Sequence, residues 1–195
     1  MAMTLEEISG LLRDAGIKHQ VDEERKHIKT GWRTDNYKNS DGDKDIGMII
    51  KLEEKGEFFK VFTPSAYKYK EGPSLLAVLE TCMYVSWLTK MIQFEYDPSD
   101  GEIRAIIEFP LEDGKLTAKQ LKRVLVGLVG IVDEYDPMIR AAIDTGKFVP
   151  KKEDESGMTE LMSAMSELGP EEIKEVLEEI KKRKQGSASA PPTEL

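Results

Sequence analysis

At 195 residues the chain has room for one ordinary domain with appendages, and it is long enough to bury a core without disulfides or a structural metal. Its 28 Lys and Arg against 37 Asp and Glu leave a formal charge of −9, which repels polyphosphate and anionic lipid and argues against nucleic acid or a membrane surface as partner. One Cys excludes an intrachain disulfide, and one Cys with two His is too thin a set for an ordinary zinc site, so no cofactor and no metal is expected.

The opening MAMTLEEISGLL has neither a basic n-region nor an apolar h-region, so export is not indicated. The longest apolar run, Val124 to Val132, is about half the length of a bilayer span. With a lone thiol, these features favour a cytoplasmic location. Thr4 and Glu7 form a capping-box pattern, and Leu5, Ile8, Leu11 and Leu12 recur at helical spacing, which predicts a first helix over 4–15. From Ile17 to Tyr69 the period drops to two, with strands expected near 26–34, 46–54 and 57–63; Gly56 in EKG supplies the turn of a hairpin between the last two. Gly72 and Pro73 interrupt the chain. A second helix follows over 74–91, with Leu75, Leu76, Val78, Leu79, Met83, Val85 and Trp87 so widely spread around its circumference that it is expected to be largely buried, against the sheet or against a partner.

IQFEYD and EIRAIIEFP flank PSDG as a second hairpin, with Ile103, Ala105, Ile107 and Phe109 on one face. Thr117 caps a long third helix carrying Leu121, Val124, Leu125, Leu128, Val132, Tyr135 and Ile139, and Pro137 within it predicts a kink or break near Asp136. The domain is expected to span 1–149, followed by a polar linker over 150–157, an amphipathic helical extension over 158–184 and a disordered tail over 185–195. In the extension, Met158, Leu161, Met162, Met165 and Leu168 form an adaptable apolar stripe, suited either to binding another protein or to docking on the chain's own domain.

The residues that could carry chemistry have simpler uses. Asp41, Asp43 and Asp45 superficially resemble a calcium loop, but the sixth and twelfth positions are Ile46 and Leu52 instead of glycine and glutamate, so a solvated loop is expected. Glu95, Asp97, Asp100, Glu102, Glu108, Glu112 and Asp113 cluster around the second hairpin, where turn chemistry accounts for most of them. His19 and His27 are expected at the surface or a sheet edge, Cys82 as a buried inert thiol, and Gly127 and Gly130 as sites of close helix packing. No catalytic residue is assigned.

The motifs GEFFKVFTPSAY, VSWLTKMIQFEYDPSDGEIRAIIEFPLEDG and VDEYDPMIRAAIDTG, in this order of elements, resemble the YbjN-like bacterial family and the type III secretion chaperone fold over residues 4 to 147. The resemblance implies an α+β fold with an antiparallel five-stranded sheet flanked by helices in the order α-β-β-β-α-β-β-α. It also implies a homodimer that binds a protein or peptide partner. The leading expectation is therefore a non-enzymatic protein-binding module, chaperone-like or regulatory. Two rivals are a small-molecule sensor with its pocket between the long helix and the sheet, gated at Pro137, and, more remotely, a carboxylate-dependent hydrolase using Asp100 or Glu102.

Overall fold

The computed structural model describes residues 2–150. The expected linker, the apolar stripe of Met158, Leu161, Met162, Met165 and Leu168, and the tail lie outside the described residues. Within them the fold is α+β. Helix α1 (Leu5–Asp14) is followed by strands β1 (His19–Asp22), β2 (His27–Arg33), β3 (Asp45–Glu53) and β4 (Phe58–Lys68). Helix α2 (Leu75–Leu88), strands β5 (Gln93–Asp97) and β6 (Glu102–Pro110), and helix α3 (Ala118–Thr145) complete it. The sheet is antiparallel throughout, in the order β1-β2-β3-β4-β6-β5. It has six strands where five were expected. The additional one, β1, has only four residues and returns into β2 through a turn in which Asp22 accepts the Arg25 N–H and Lys26 takes φ 51°. So short and charged a stretch carries no period-two signal.

The remaining elements follow from their residues. Thr4 and Glu7 close the capping box of α1, and Thr117 and Gln120 that of α3. The β3–β4 hairpin turns at a 3-10 segment, Glu54–Gly56. Gly56 there has φ 101°, and a Cβ would sit 2.2 Å from the Met3 carbonyl oxygen, so no other residue fits without a rearrangement. Strand β4 runs five residues beyond the expected end because a bulge between Thr63 and Tyr67 carries it past Pro64, with the Thr63 hydroxyl accepting the Ala105 N–H. Ile103, Ala105 and Ile107 point from β6 into the main core beside Phe59 and Val61, and Phe109 leans on Phe59 with ring centroids 5.2 Å apart. The other face of the sheet holds a smaller apolar spot, Phe62 and Ile106, which Lys51 and Arg104 roof over Phe62 at 5.7 and 5.2 Å.

Helix α3 continues through Pro137 without a break. The proline removes the N–H that would have reached the Asp133 carbonyl. That carbonyl accepts the Asn36 side-chain amide at 3.2 Å instead, while the Asp133 carboxylate collects the backbone N–H groups of Asp35, Asn36 and Tyr37 at 2.7 to 3.0 Å. The loop after β2 therefore satisfies the helix at the point where proline opens it. One turn on, buried Asp136 is paired with Arg140, whose guanidinium lies over the rings of Tyr37 and Tyr67. Burial of the Asp136 carboxyl raises its pKa, and burial pushes the Tyr37 hydroxyl up to about 12.

Gly127 and Gly130 do not mediate close packing. A Cβ at either would meet nothing within 4 Å, because both sit on the outward side of α3 near exposed Val126.

Candidate functional site

Helix α2 begins where Gly72 and Pro73 end the preceding segment. The Tyr69 hydroxyl accepts the Ser74 N–H at 2.7 Å, and the Ser74 hydroxyl in turn caps the helix by accepting the Ala77 N–H at 3.2 Å. Gly72 lies flat against the Tyr69 ring, where a Cβ would come within 2.6 Å of the hydroxyl. The inner side of α2, with Ala77, Val78, Thr81, Cys82 and Val85, is buried against α3 and β5. Thr81, Ser86 and Thr89 return their hydroxyls to carbonyls one turn back, so this side buries no unmatched hydroxyl. Cys82 is buried as expected, and burial pushes its thiol up to about 12.

The outer side is not covered by the sheet, one of the two ways in which the helix was expected to be buried. Leu76, Met83 and Trp87, at positions i, i+7 and i+11, are 75%, 73% and 75% exposed. Leu75, Leu88 and Met91 are also exposed around them. The sequence shows apolar residues all around the helix because one side meets the core and the other meets nothing among the described residues. Trp87 is held in place: Tyr84 stacks on it at 6.0 Å, and Phe148, beyond the end of α3, abuts Tyr84 edge-on at 5.3 Å. Beside Met83 an apolar cleft of about 190 Å³ opens between α2 and β5, lined by Leu79, Cys82, Phe94, Tyr96 and Ile103. β5 is an edge strand, paired only with β6, so this apolar face adjoins an open sheet edge.

The carboxylates of the second hairpin are occupied structurally. Asp97 accepts the Ser99 N–H, Asp100 accepts the Glu102 N–H, and Glu102 accepts the N–H of Ser65, which has φ 47° in the β4 bulge. Glu95 pairs with Arg104 at 2.6 Å and Glu108 with Lys60 at 3.1 Å. The Ser99 hydrogen bonds hold Asp97 below its ordinary pKa, the reverse of what a general acid needs. A groove of about 500 Å³ here, lined by Glu95, Asp97, Glu102 and Arg104, has its one cation already taken by Glu95.

In the acidic loop, Asn39 organises the turn by accepting the Asp41 and Asp43 N–H groups and donating to Asp45. His19 stands on the edge strand β1, as expected, and His27 on the interior strand β2 does not fit the expectation. His19 bridges the Ser9 hydroxyl and the Ile17 carbonyl, half-buried, and His27 is buried, with its Nε2 3.6 Å from Asp22 Oδ2. Burial lowers the His27 pKa, with smaller contributions from neighbouring Lys29 and Lys51, against the opposing pull of Asp22. Between α3 and the sheet the space is filled by Leu121, Leu125, Leu128 and Val132, all essentially without exposure. A cleft associated with α3 lies at its side, by Lys122. Some fifteen residues separate it from Pro137, about 22 Å along a helix, so the proline does not gate it.

No helix among the described residues is long and apolar enough to cross a membrane. No family model and no curated protein matches the chain. Several solved structures are similar to it, two of them as follows. One is the HopA1–SchA chaperone–effector complex, at 16% identity and TM-score 0.42, over 62% of this chain and 83% of that one. The other is YbjN from E. coli, described as a candidate transcription regulator, at 10% identity and TM-score 0.47, over 70% of this chain and 94% of that one. These are the two groups that the sequence motifs resemble.

Proposed function

We propose that this chain is a non-enzymatic protein-binding module, chaperone-like or regulatory, that works as a homodimer in which the outer sides of two α2 helices meet. One observation carries the reading: Leu76, Met83 and Trp87 stand about three-quarters exposed on one side of a helix whose other side is fully packed. A monomer rarely leaves an apolar patch of this kind open. A two-fold contact brings the same apolar patch to both partners, so it needs no second complementary surface. Leu75, Leu88 and Met91, exposed on its flanks, widen the patch. The foreign protein or peptide is assigned to the second apolar stripe, Met158, Leu161, Met162, Met165 and Leu168, whose thioethers adapt to varied surfaces. The occupied carboxylates of the β5–β6 hairpin support a role without catalysis.

Sedimentation velocity at micromolar concentration tests the dimer. The wild type is expected to sediment as a dimer, and Trp87→Asp and Met83→Glu as folded monomers with unchanged circular dichroism, since both side chains are exposed. A monomeric wild type, or variants that still dimerise, would refute it.

A further inference from the structure

At the sheet edge opposite β5, the end of α1, the start of β1, strand β2 and the second turn of α3 enclose an open cleft of about 460 Å³. Volumes of this size belong to small-molecule sites. Its lining is Ala15, Gly16, Ile17, Lys18, Gly31, Trp32 and Lys122. Three features of this set belong together.

The first is charge. In a chain with 37 carboxylates, this lining has none, yet it brings two lysines from distant elements to one opening. Among the described residues, neither the Lys18 nor the Lys122 ammonium has an ion-pair or hydrogen-bond partner, so both charges are available to a ligand. Two unpaired cations around an uncharged cleft make a local attraction for an anion against the overall charge of −9.

The second is the aromatic wall. Trp32 is half-buried, packs against the core and also lines the cleft. An indole held this way offers a ring surface already fixed in place, so a planar group stacking on it loses little side-chain entropy on binding. The third is the bare backbone at Gly16. Gly16 follows α1 with φ 68°, a conformation that favours glycine, and a Cβ there would meet nothing within 4 Å, so this side of the opening is left clear. Gly31 contributes only backbone to the lining, since a side chain next to Trp32 in β2 would point to the other face of the sheet.

We propose that this cleft binds a small planar ring bearing an anionic group, a carboxylate or a phosphate, with the ring on Trp32 and the anion between Lys18 and Lys122. The site is independent of the α2 face and of the dimer. It is also better suited than the larger groove by the β5–β6 hairpin, whose lining is rich in carboxylates and whose arginine is already paired.

Trp32 is its own reporter, because Trp87→Phe leaves it as the sole tryptophan and changes nothing in the cleft. The full-length Trp87→Phe protein is excited at the red edge of indole absorption and titrated with adenosine monophosphate, benzoate, adenosine and inorganic phosphate. Adenosine monophosphate or benzoate is expected to change Trp32 emission saturably, with Kd below about 1 mM. Adenosine and phosphate, each lacking one half of the recognised chemistry, should bind at least about tenfold more weakly. Adding Lys18→Glu and Lys122→Glu, both exposed and unpaired, should leave the fold intact and weaken the anionic ligands by at least about tenfold. No saturable change with either anionic ring, equal binding of adenosine or of phosphate alone, or undiminished binding in the double variant would each overturn the proposal.

Discussion

Asp133 shows how much of this fold rests on single side chains that do not look special. Its carboxylate receives three consecutive backbone N–H groups from the loop after β2, across nearly a hundred residues of sequence. Those hydrogen bonds hold its pKa below the ordinary 3.8 against the opposing effect of partial burial. Asp133→Ala leaves the three donors to find water, and a loss of about 1–3 kcal/mol is expected in urea unfolding at neutral pH. The sign of the pH dependence follows from the lowered pKa. The folded state binds this proton less readily than the unfolded one, so the contribution is full above 3.8 and disappears as pH falls through the lower folded value. The stability gap between wild type and Asp133→Ala should therefore narrow in acid below that point. A gap that stayed constant down to the acid transition would show that the carboxylate's charge is not what holds the loop.

At the scale of elements, Pro137 is where sequence and structure diverge most instructively. A proline in the twentieth position of a 28-residue helix predicts a break, and the helix does not break because Asn36 takes the carbonyl that the proline frees. That partner lies a hundred residues upstream in a loop with no periodicity, so no local pattern could have announced it. Pro137→Ala restores the i→i−4 bond, and urea unfolding should show a gain of about 1–2 kcal/mol, less than the ~3 kcal/mol of an uncompensated proline. A loss of stability would mean that the Asn36 contact depends on the proline itself.

What was legible was whatever local chemistry dictates: three helices, the caps of the first and third, the Gly56 and PSDG hairpins, the inward set Ile103, Ala105 and Ile107, and the buried Cys82. What was not legible depended on which elements the chain brings together. Four residues of β1 gain strand geometry only from pairing with β2, and His27 is buried only because the sheet closes around it. Apolar residues all around α2 read as burial, since a side left open and a side packed against the core are written with the same residue types. Lys18, Trp32 and Lys122 share a cleft that no spacing in the sequence could indicate.

At the scale of the whole molecule, the two proposed contacts respond to salt with opposite signs, which separates them without any substitution. Two copies that meet through α2 each bring a charge of −9, and exposed Glu80, on the same side of the helix between Leu76 and Met83, adds like charge at the contact itself. Their long-range interaction is repulsive, and it weakens as the Debye length shrinks from about 10 Å at 0.1 M salt towards about 3 Å at 1 M. Dimerisation measured by sedimentation equilibrium should therefore tighten by a few-fold when sodium chloride is raised from about 0.05 to 0.5 M. Chloride is the salt to use, because sulfate would also strengthen apolar burial by its exclusion from the surface and give the same sign for a different reason. The cleft behaves in the opposite way. An anion held between Lys18 and Lys122 is attracted by exposed charges, so its affinity should fall over the same range, with the Trp32 signal as readout. A dimer that loosened with salt would mean that ion pairs hold the copies together and that the apolar side of α2 is not the interface.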